Sequence, residues 1–213
     1  MKPELLYDRY YQACYKPSDM HEHMPNLKMY ADECEHVTEM GVRGIVSTYA
    51  FLMSKCKTLV SIDIVNPSAH GANIQDIYDL ANLHGKNFTF IQGDTLKIDI
   101  DITDLLFIDT LHAYDQLKNE LALHAKKAKK YIIMHDTVTF GEFGHTVEDP
   151  ANRYANVRGL NPAIQEFLEA HRTEWAYDRI YYNCNGLTVL KRIGGQVQSS
   201  SVQFIHANLS SVS

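Results

Sequence analysis

Short apolar runs alternate with stretches of helical spacing along most of the chain. Leu27, Tyr30, Ala31 and Cys34 recur on one face, which predicts a helix over Asn26–Glu35, with Pro25 near its start, where a missing N–H costs nothing. His36–Gly41 follows as a short strand closed by a glycine, and Ser47 is placed to cap a helix over Thr48–Lys55. Thr58–Asp63 reads as a second strand. Ala72–His84 sets Ile74, Ile77, Tyr78 and Ala81 on one helical face and stops at Gly85. Phe88–Ile91 and Asp104–Asp109 are the third and fourth strands, the fourth apolar through its middle, as a strand covered on both faces must be. Tyr114, Leu117, Leu121, Ala125 and Ala128 mark a long amphipathic helix. Its far end, Lys126-Lys127-Ala128-Lys129-Lys130, reads as a solvated terminus that complements the helix dipole. Tyr131–Met134 is a fifth strand, and a helix opening at Asn161-Pro162 carries Ile164, Phe167 and Leu168. Trp175–Tyr182 and Leu187–Leu190, parted by Asn183-Cys184-Asn185-Gly186, read as a hairpin.

Strands alternating with helices predict an α/β domain: a doubly wound, mostly parallel seven-stranded sheet with right-handed crossovers and a C-terminal antiparallel hairpin. The 213 residues suit one domain, drawn here over 1–192 with a helical cover at 1–35. Residues 193–213 read as a peripheral tail, with Val202–Ile205 expected to dock as an edge strand. Thr137–Gly159 is long and aperiodic for a plain connection, which points to a substrate loop with His145, Glu148, Asp149, Arg153 and Arg158 as its polar members. Twenty Lys+Arg against 26 Asp+Glu give a net charge of −6, which argues against a nucleic-acid partner. No apolar run approaches the roughly 20 residues that span a bilayer, and the first residues lack the apolar core of a secretory signal. Cys14, Cys34, Cys56 and Cys184 are scattered, without a CxxC pair, and read as reduced thiols. The expectation is a cytoplasmic protein acting on a small molecule. His21, Glu22 and His23 are read as a turn ahead of the Pro25 helix rather than as a metal cluster, and Tyr7, Tyr10, Tyr11 and Tyr15 as packing residues of the cover.

In open α/β sheets, ligands sit beyond the carboxyl ends of the strands, near the switch in strand order. The first strand ends in Glu39-Met40-Gly41-Val42-Arg43-Gly44, a glycine turn that lets backbone approach a ligand. Asp63 follows the second strand, placed for ribose hydroxyls, and Gly93-Asp94 follows the third, suited to an adenine. Asp109-Thr110-Leu111-His112 follows the fourth and His135-Asp136-Thr137 the fifth. Polar residues at five successive strand ends point to one shared adenosyl site. The acidic residue after the second strand also suits NAD in an oxidoreductase, although the first turn lacks GxGxxG. A non-catalytic nucleotide-binding module is a further alternative, against which Asp109, His112 and Asp136 speak, since a pure binder has no need of them.

Glu39-x-Gly41 followed by Ser47 resembles the ExGxxxGxS motif of the catechol O-methyltransferase type, and a terminal hairpin added to a parallel sheet resembles class I methyltransferases. Ile108–Tyr114, Glu120-Leu121 and Tyr131–Thr137 are similar to the branch holding cephalosporin-hydroxylase-type proteins and macrolide-sugar O-methyltransferases. That branch carries Asp-x-x-His after the fourth strand and acidic-Asp-Thr after the fifth. The likeness spans Val37–Leu190. It implies a Rossmann-like fold that binds S-adenosylmethionine (SAM) through Glu39, Gly41, Val42, Arg43, Ser47, Asp63, Asp94, Asp109 and Thr110. It implies methylation of a hydroxyl on a small or sugar-containing acceptor, with His112 as general base and Asp109 orienting the hydroxyl. It further implies magnesium or manganese held by Asp109, His135 and Asp136, and a homo-oligomer. The chain departs from the pattern twice. Ile45 stands where the family has glycine, with Gly44 beside it. His135 stands where metal-dependent relatives carry glutamate, and imidazole is a poor magnesium ligand.

Overall fold

The computed structural model describes residues 2, 4–146, 148, 157–195 and 197. Its elements run α1 (Glu4–Tyr15), α2 (Met24–Ala31), β1 (His36–Met40), α3 (Ser47–Met53), β2 (Thr58–Asp63), α4 (Ile74–Leu83), β3 (Asn87–Gln92), β4 (Thr103–Ile108), α5 (Tyr114–His124), β5 (Ala128–His135), α6 (Leu160–Ala170), β6 (Trp175–Tyr181) and β7 (Leu187–Arg192). One seven-stranded sheet has the order β3-β2-β1-β4-β5-β7-β6. β1 to β5 pair in parallel, and β7 runs antiparallel between β5 and β6. The chain winds outward from β1 to β3, returns to β4 and winds out the other way. The switch therefore lies between β1 and β4, and loops leaving their carboxyl ends diverge there. The expected doubly wound sheet with its terminal hairpin is the observed one.

Two apolar layers flank the sheet because alternate strand residues point to opposite faces. Leu105, Phe107, Tyr131 and Ile133 pack with α1 to α4 through Leu6, Leu27, Phe51, Ile77 and Leu80. Leu106, Ile108, Ile132 and Met134 pack with α5 and α6 through Leu117, Leu121, Ile164 and Phe167. Both faces of β4 and β5 are covered, which explains their unbroken apolar runs. Of the tyrosines in α1, Tyr10 enters the first layer, while Tyr7, Tyr11 and Tyr15 are exposed. The four cysteines are free thiols. No described helix is long and apolar enough to cross a membrane. The Val202–Ile205 segment lies outside the described residues.

The predicted long helix is shorter than its periodicity suggested. α5 ends at His124, a 3-10 turn covers Ala125–Lys127, and β5 begins at Ala128. The lysine run is accordingly no helix end, although Lys126, Lys129 and Lys130 are exposed as expected. Lys127 is buried, donates to the Ile100 carbonyl at 2.6 Å and pairs with Asp99. Lys129, on β5, pairs at 2.7 Å with Asp104, which is buried. Asp104 also accepts from the backbone N–H groups of Glu35 and His36 at 2.8 and 3.0 Å, so one carboxylate fixes the start of β1 against β4 and β5. Burial works to raise its pKa, but Lys129 and the two N–H groups hold it below the usual carboxylate value. Asp104→Ala leaves two N–H groups without a partner, and urea denaturation should show a loss of about 1–3 kcal/mol. Asp104→Asn should lose less, because one amide oxygen still accepts.

Candidate functional site

The turn after β1 touches both neighbouring strands. The Gly41 N–H donates to the Ile62 carbonyl, and the Asp109 N–H donates to the Met40 carbonyl, each at 2.8 Å. Gly41 has φ of 87°, and a Cβ built there would lie 1.9 Å from the Asp109 carbonyl oxygen. Only glycine fits this approach. The turn takes positive φ at Arg43 (44°) and Ile45 (61°), not at Gly44. A β-branched residue in the left-handed region is strained, and burial of the Ile45 side chain in the first apolar layer offsets this.

Beneath the turn, Glu39 is fully buried and does not face the cleft. Ser47 donates to its carboxylate at 2.5 Å, Ser61 at 2.5 Å and Thr48 at 2.9 Å. The predicted cap at Ser47 is therefore a different contact. Val46 holds the cap position without a side-chain bond, and the Ser47 hydroxyl is committed to Glu39. Burial, only partly opposed by these hydroxyls, raises Glu39 to about 7. Asp63 reaches over the turn from β2. One oxygen accepts from Val42 N–H at 2.7 Å and Arg43 N–H at 2.8 Å, the other from Val65 N–H at 2.8 Å. Three of its roughly four acceptor positions are used, and one remains for a ligand hydroxyl.

Two adjoining chambers open over the strand ends. One, of about 410 Å³, is lined by Asp63, Gly93, Asp94, Leu96, Leu111 and Gln116 among others. The second, of about 450 Å³, is lined by Asp19, Met20, Val42, Ser47, His112 and Asp136 among others. Gly41, Arg43, His70, Asp109 and Thr110 border both. Of the predicted binding residues, all but Glu39 thus line the cleft. Asp19, Met20, His70 and Gln116 were not foreseen. Nothing local marks them, since the chain brings them in from the N-terminal segment, the turn after β2 and the first turn of α5. Buried Glu120 accepts from Thr95 (2.6 Å), Thr110 (2.9 Å) and Gln116 (2.8 Å), and so holds the floor shared by the chambers.

Asp109, His112, His135 and Asp136 meet at the inner end of the second chamber. His112 Nε2 lies 2.8 Å from Asp136 and 3.3 Å from Asp109. His135 Nδ1 lies 3.4 Å from Asp109 and 3.5 Å from Asp136, while its Nε2 faces the carbonyls of Asp19 (2.9 Å) and Cys184 (3.0 Å). Both nitrogens of His135 face acceptors, so the ring carries both protons. Burial opposes this charge, but Asp109 and Asp136 push its pKa well up. For His112 burial likewise opposes, and the bonds to Asp109 and Asp136 push it up to about 9. Burial would raise Asp109, yet the His135 charge and bonds from both imidazoles hold it at about 2. Asp136 has φ of 62°, a strained conformation at a site of concentrated charge.

The predicted metal donors do come together, but they do not fit magnesium or manganese, which take oxygen-dominated shells. Two of the four facing donors are imidazole nitrogens, which leaves only the two carboxylates as oxygen donors. The ring of His112 is held by Phe140, stacked at 4.7 Å, and by His145, edge-on at 4.6 Å. His145 arrives from the predicted substrate loop. Arg158 instead pairs with Glu166 at 3.2 Å and lies over the Tyr114 ring, and Glu148 is exposed. Asp149 and Arg153 lie outside the described residues.

No protein-family model matches the sequence, and no curated protein matches it. Solved structures do. A candidate caffeoyl-CoA O-methyltransferase from Staphylococcus aureus is 17% identical, with a TM-score of 0.60 over 90% of this chain and 92% of that one. An O-methyltransferase from Bacillus cereus in complex with S-adenosylhomocysteine is 16% identical, with a TM-score of 0.58 over 89% and 90%. The N-terminal domain of EvdMO1, solved with S-adenosylhomocysteine and D-fucose, is 12% identical, with a TM-score of 0.51 over 86% and 84%. These likenesses establish the Rossmann-like methyltransferase fold.

Two outcomes follow from this geometry. Gly41→Ala should lower stability by about 1–3 kcal/mol through forced backbone strain, read as a fall in Tm. The charge cluster should also shape the pH dependence of stability. Raised imidazole pKa values contribute fully below the unfolded value of about 6.5 and are lost as pH rises, for His112 through about 9. The depressed Asp109 contributes above the unfolded value of about 3.9 and is lost as pH falls through about 2. Denaturation series should place the cluster's full contribution between about pH 4 and 6.5, and His112→Gln should flatten the alkaline decline.

Proposed function

We propose that this chain is a SAM-dependent O-methyltransferase whose acceptor is a hydroxyl on a small, sugar-containing molecule. The observation that carries this reading is the pair of chambers divided by Gly41, Asp109 and Thr110, with His112 on the far side. Adenosine occupies the chamber of Asp63 and Asp94, the free acceptor position of Asp63 taking a ribose hydroxyl. The methionine portion runs along the Gly41–Arg43 turn, so that the sulfonium methyl faces the second chamber. Structural neighbours with S-adenosylhomocysteine support the cofactor, and the neighbour solved with D-fucose supports the acceptor class.

Methyl transfer is an in-line displacement, so the protein's main contribution is to position the two reactants and remove one proton. The acceptor oxygen bonds to the methyl carbon as the carbon–sulfur bond breaks, leaving S-adenosylhomocysteine. The hydroxyl proton passes to His112. Nδ1 of that ring is buried without a partner and Nε2 is bonded to Asp136 and Asp109, so the hydroxyl reaches Nε2 by displacing the longer Asp109 contact. Asp136 and Asp109 then stabilise the imidazolium that forms. The step uses no divalent ion, in keeping with the donor chemistry of the cluster. The same carboxylates that stabilise the product ring keep it protonated in the free protein at neutral pH. The base is therefore available only as pH rises towards about 9.

Calorimetry should show SAM and S-adenosylhomocysteine binding and no binding of NAD. NAD binding without SAM binding would overturn the proposal. In an acceptor screen read by S-adenosylhomocysteine release, His112→Ala should lower kcat by about 10²–10⁴-fold while leaving SAM affinity unchanged. kcat/KM of the wild type should climb with pH and level off above about 9. Unchanged turnover in His112→Ala removes the base.

A further inference from the structure

A second cluster lies on the other side of His135, where the segment before α2 meets the turn between β6 and β7. Cys184, at the tip of that turn, sits 3.4 Å from His21 Nδ1 and 3.4 Å from a carboxylate oxygen of Glu22. The Ser18 carbonyl oxygen is 3.6 Å from the same sulfur and 2.6 Å from His21 Nδ1. His23, the third member of the sequence trio, is fully buried and instead faces the Cys184 carbonyl at 3.2 Å.

We infer that Cys184, His21 and Glu22 form a three-ligand binding site for a thiophilic divalent cation of the zinc type, with water completing the fourth position. Three ligand atoms converge here, within 4.8 Å of one another. A cation at the centre takes a lone pair from each of the three. The spacing matches as well. A tetrahedral zinc with bonds of about 2.3 Å to sulfur and about 2.0–2.2 Å to nitrogen or oxygen sets sulfur about 3.5 Å from its neighbours. The sulfur lies 3.4 Å from each of the other two ligand atoms, while the Ser18 carbonyl, 2.6 Å from His21 Nδ1, is that nitrogen's hydrogen-bond neighbour and not a ligand. Asn183 donates to the Glu22 carboxylate at 2.6 Å, the kind of outer contact that orients a ligand. The sulfur also separates this site from the oxygen- and imidazole-lined cluster at Asp109 and Asp136.

The ion has a structural task. It ties residues 18–22 to the β6–β7 turn. The carbonyls of Asp19 and Cys184, one from each side of this tie, both receive the Nε2 proton of His135. Asp19 and Met20 line the second chamber. Metal at Cys184 therefore fixes one wall of that chamber without touching anything bound in it.

The test uses cobalt(II) as a spectroscopic stand-in for zinc on the full chain, with no SAM present. Equimolar cobalt should give a thiolate-to-cobalt charge-transfer band in the near ultraviolet, which zinc abolishes by displacement. Cys184→Ser should lose the band entirely. Asn183→Ala, which removes no ligand, should keep the band and bind cobalt about 10–100-fold more weakly. Zinc should raise the Tm of the wild type but not of Cys184→Ser. A wild-type spectrum without the band, or a band that survives Cys184→Ser, overturns the site. If Cys184→Ser does not fold, cobalt affinity undiminished in Asn183→Ala counts against it. None of these readouts depends on SAM binding or methyl transfer.

Discussion

The architecture of the cleft depends on one close approach: the turn after β1 lies against the backbone of β4 at Gly41 and Asp109. Adjacent parallel strands normally leave room for a side chain where their ends diverge. Here that room is closed by backbone, and the two chambers form on either side of the contact. Glu39 pulls the turn inward from below through Ser47, Thr48 and Ser61, and Asp63 holds it from β2 through Val42 and Arg43. Two carboxylates thus set a backbone conformation that includes a strained Ile45. Neither effect is visible from one strand alone.

The second constraint is electrostatic. Asp109 and Asp136 are brought together by β4 and β5, where two anions repel unless positive charge is supplied. His112 and His135 supply it from opposite sides. The two rings differ in setting: His135 is sealed between carbonyls and carboxylates, whereas His112 lines the chamber. One ring can therefore exchange a proton with a bound molecule while the other remains a fixed charge. His135 places an imidazole, not a third carboxylate, between Asp109 and Asp136.

Much of this was legible in the residues. Thr58–Asp63 has the same bounds as β2, and the strand ends carrying Asp63, Asp94, Asp109 and Asp136 all open on the cleft, because period-two and helical patterns are set by local burial. The boundary at Ala128 was not legible. The α5 pattern runs on through Ala125 and Ala128, which are buried whether the backbone is helix or strand, and only the pairing of β5 with β4 ends the helix. The burial of Lys127 and the ion pairs of the lysine run were hidden for the same reason. Its partners, Asp99, Asp104 and the Ile100 carbonyl, lie far back in the chain. Ser47 resembled a cap because a serine before an apolar helix usually is one, but Glu39 competes for its hydroxyl from the strand beneath.

The amino-acid sequence by itself determined the order and type of the elements, the two-sided burial of the central strands and the acidic character of the strand ends, since each follows from neighbours along the chain. Only the tertiary structure decided what those acids do. Glu39 turned inward to hold a turn, Asp63 spent most of its acceptors on backbone, and His135 became a counter-ion. It also decided that Cys184 would meet His21 and Glu22. A carboxylate or imidazole takes its role from the charges and protons within a few ångströms, and in this fold those come from segments distant in sequence.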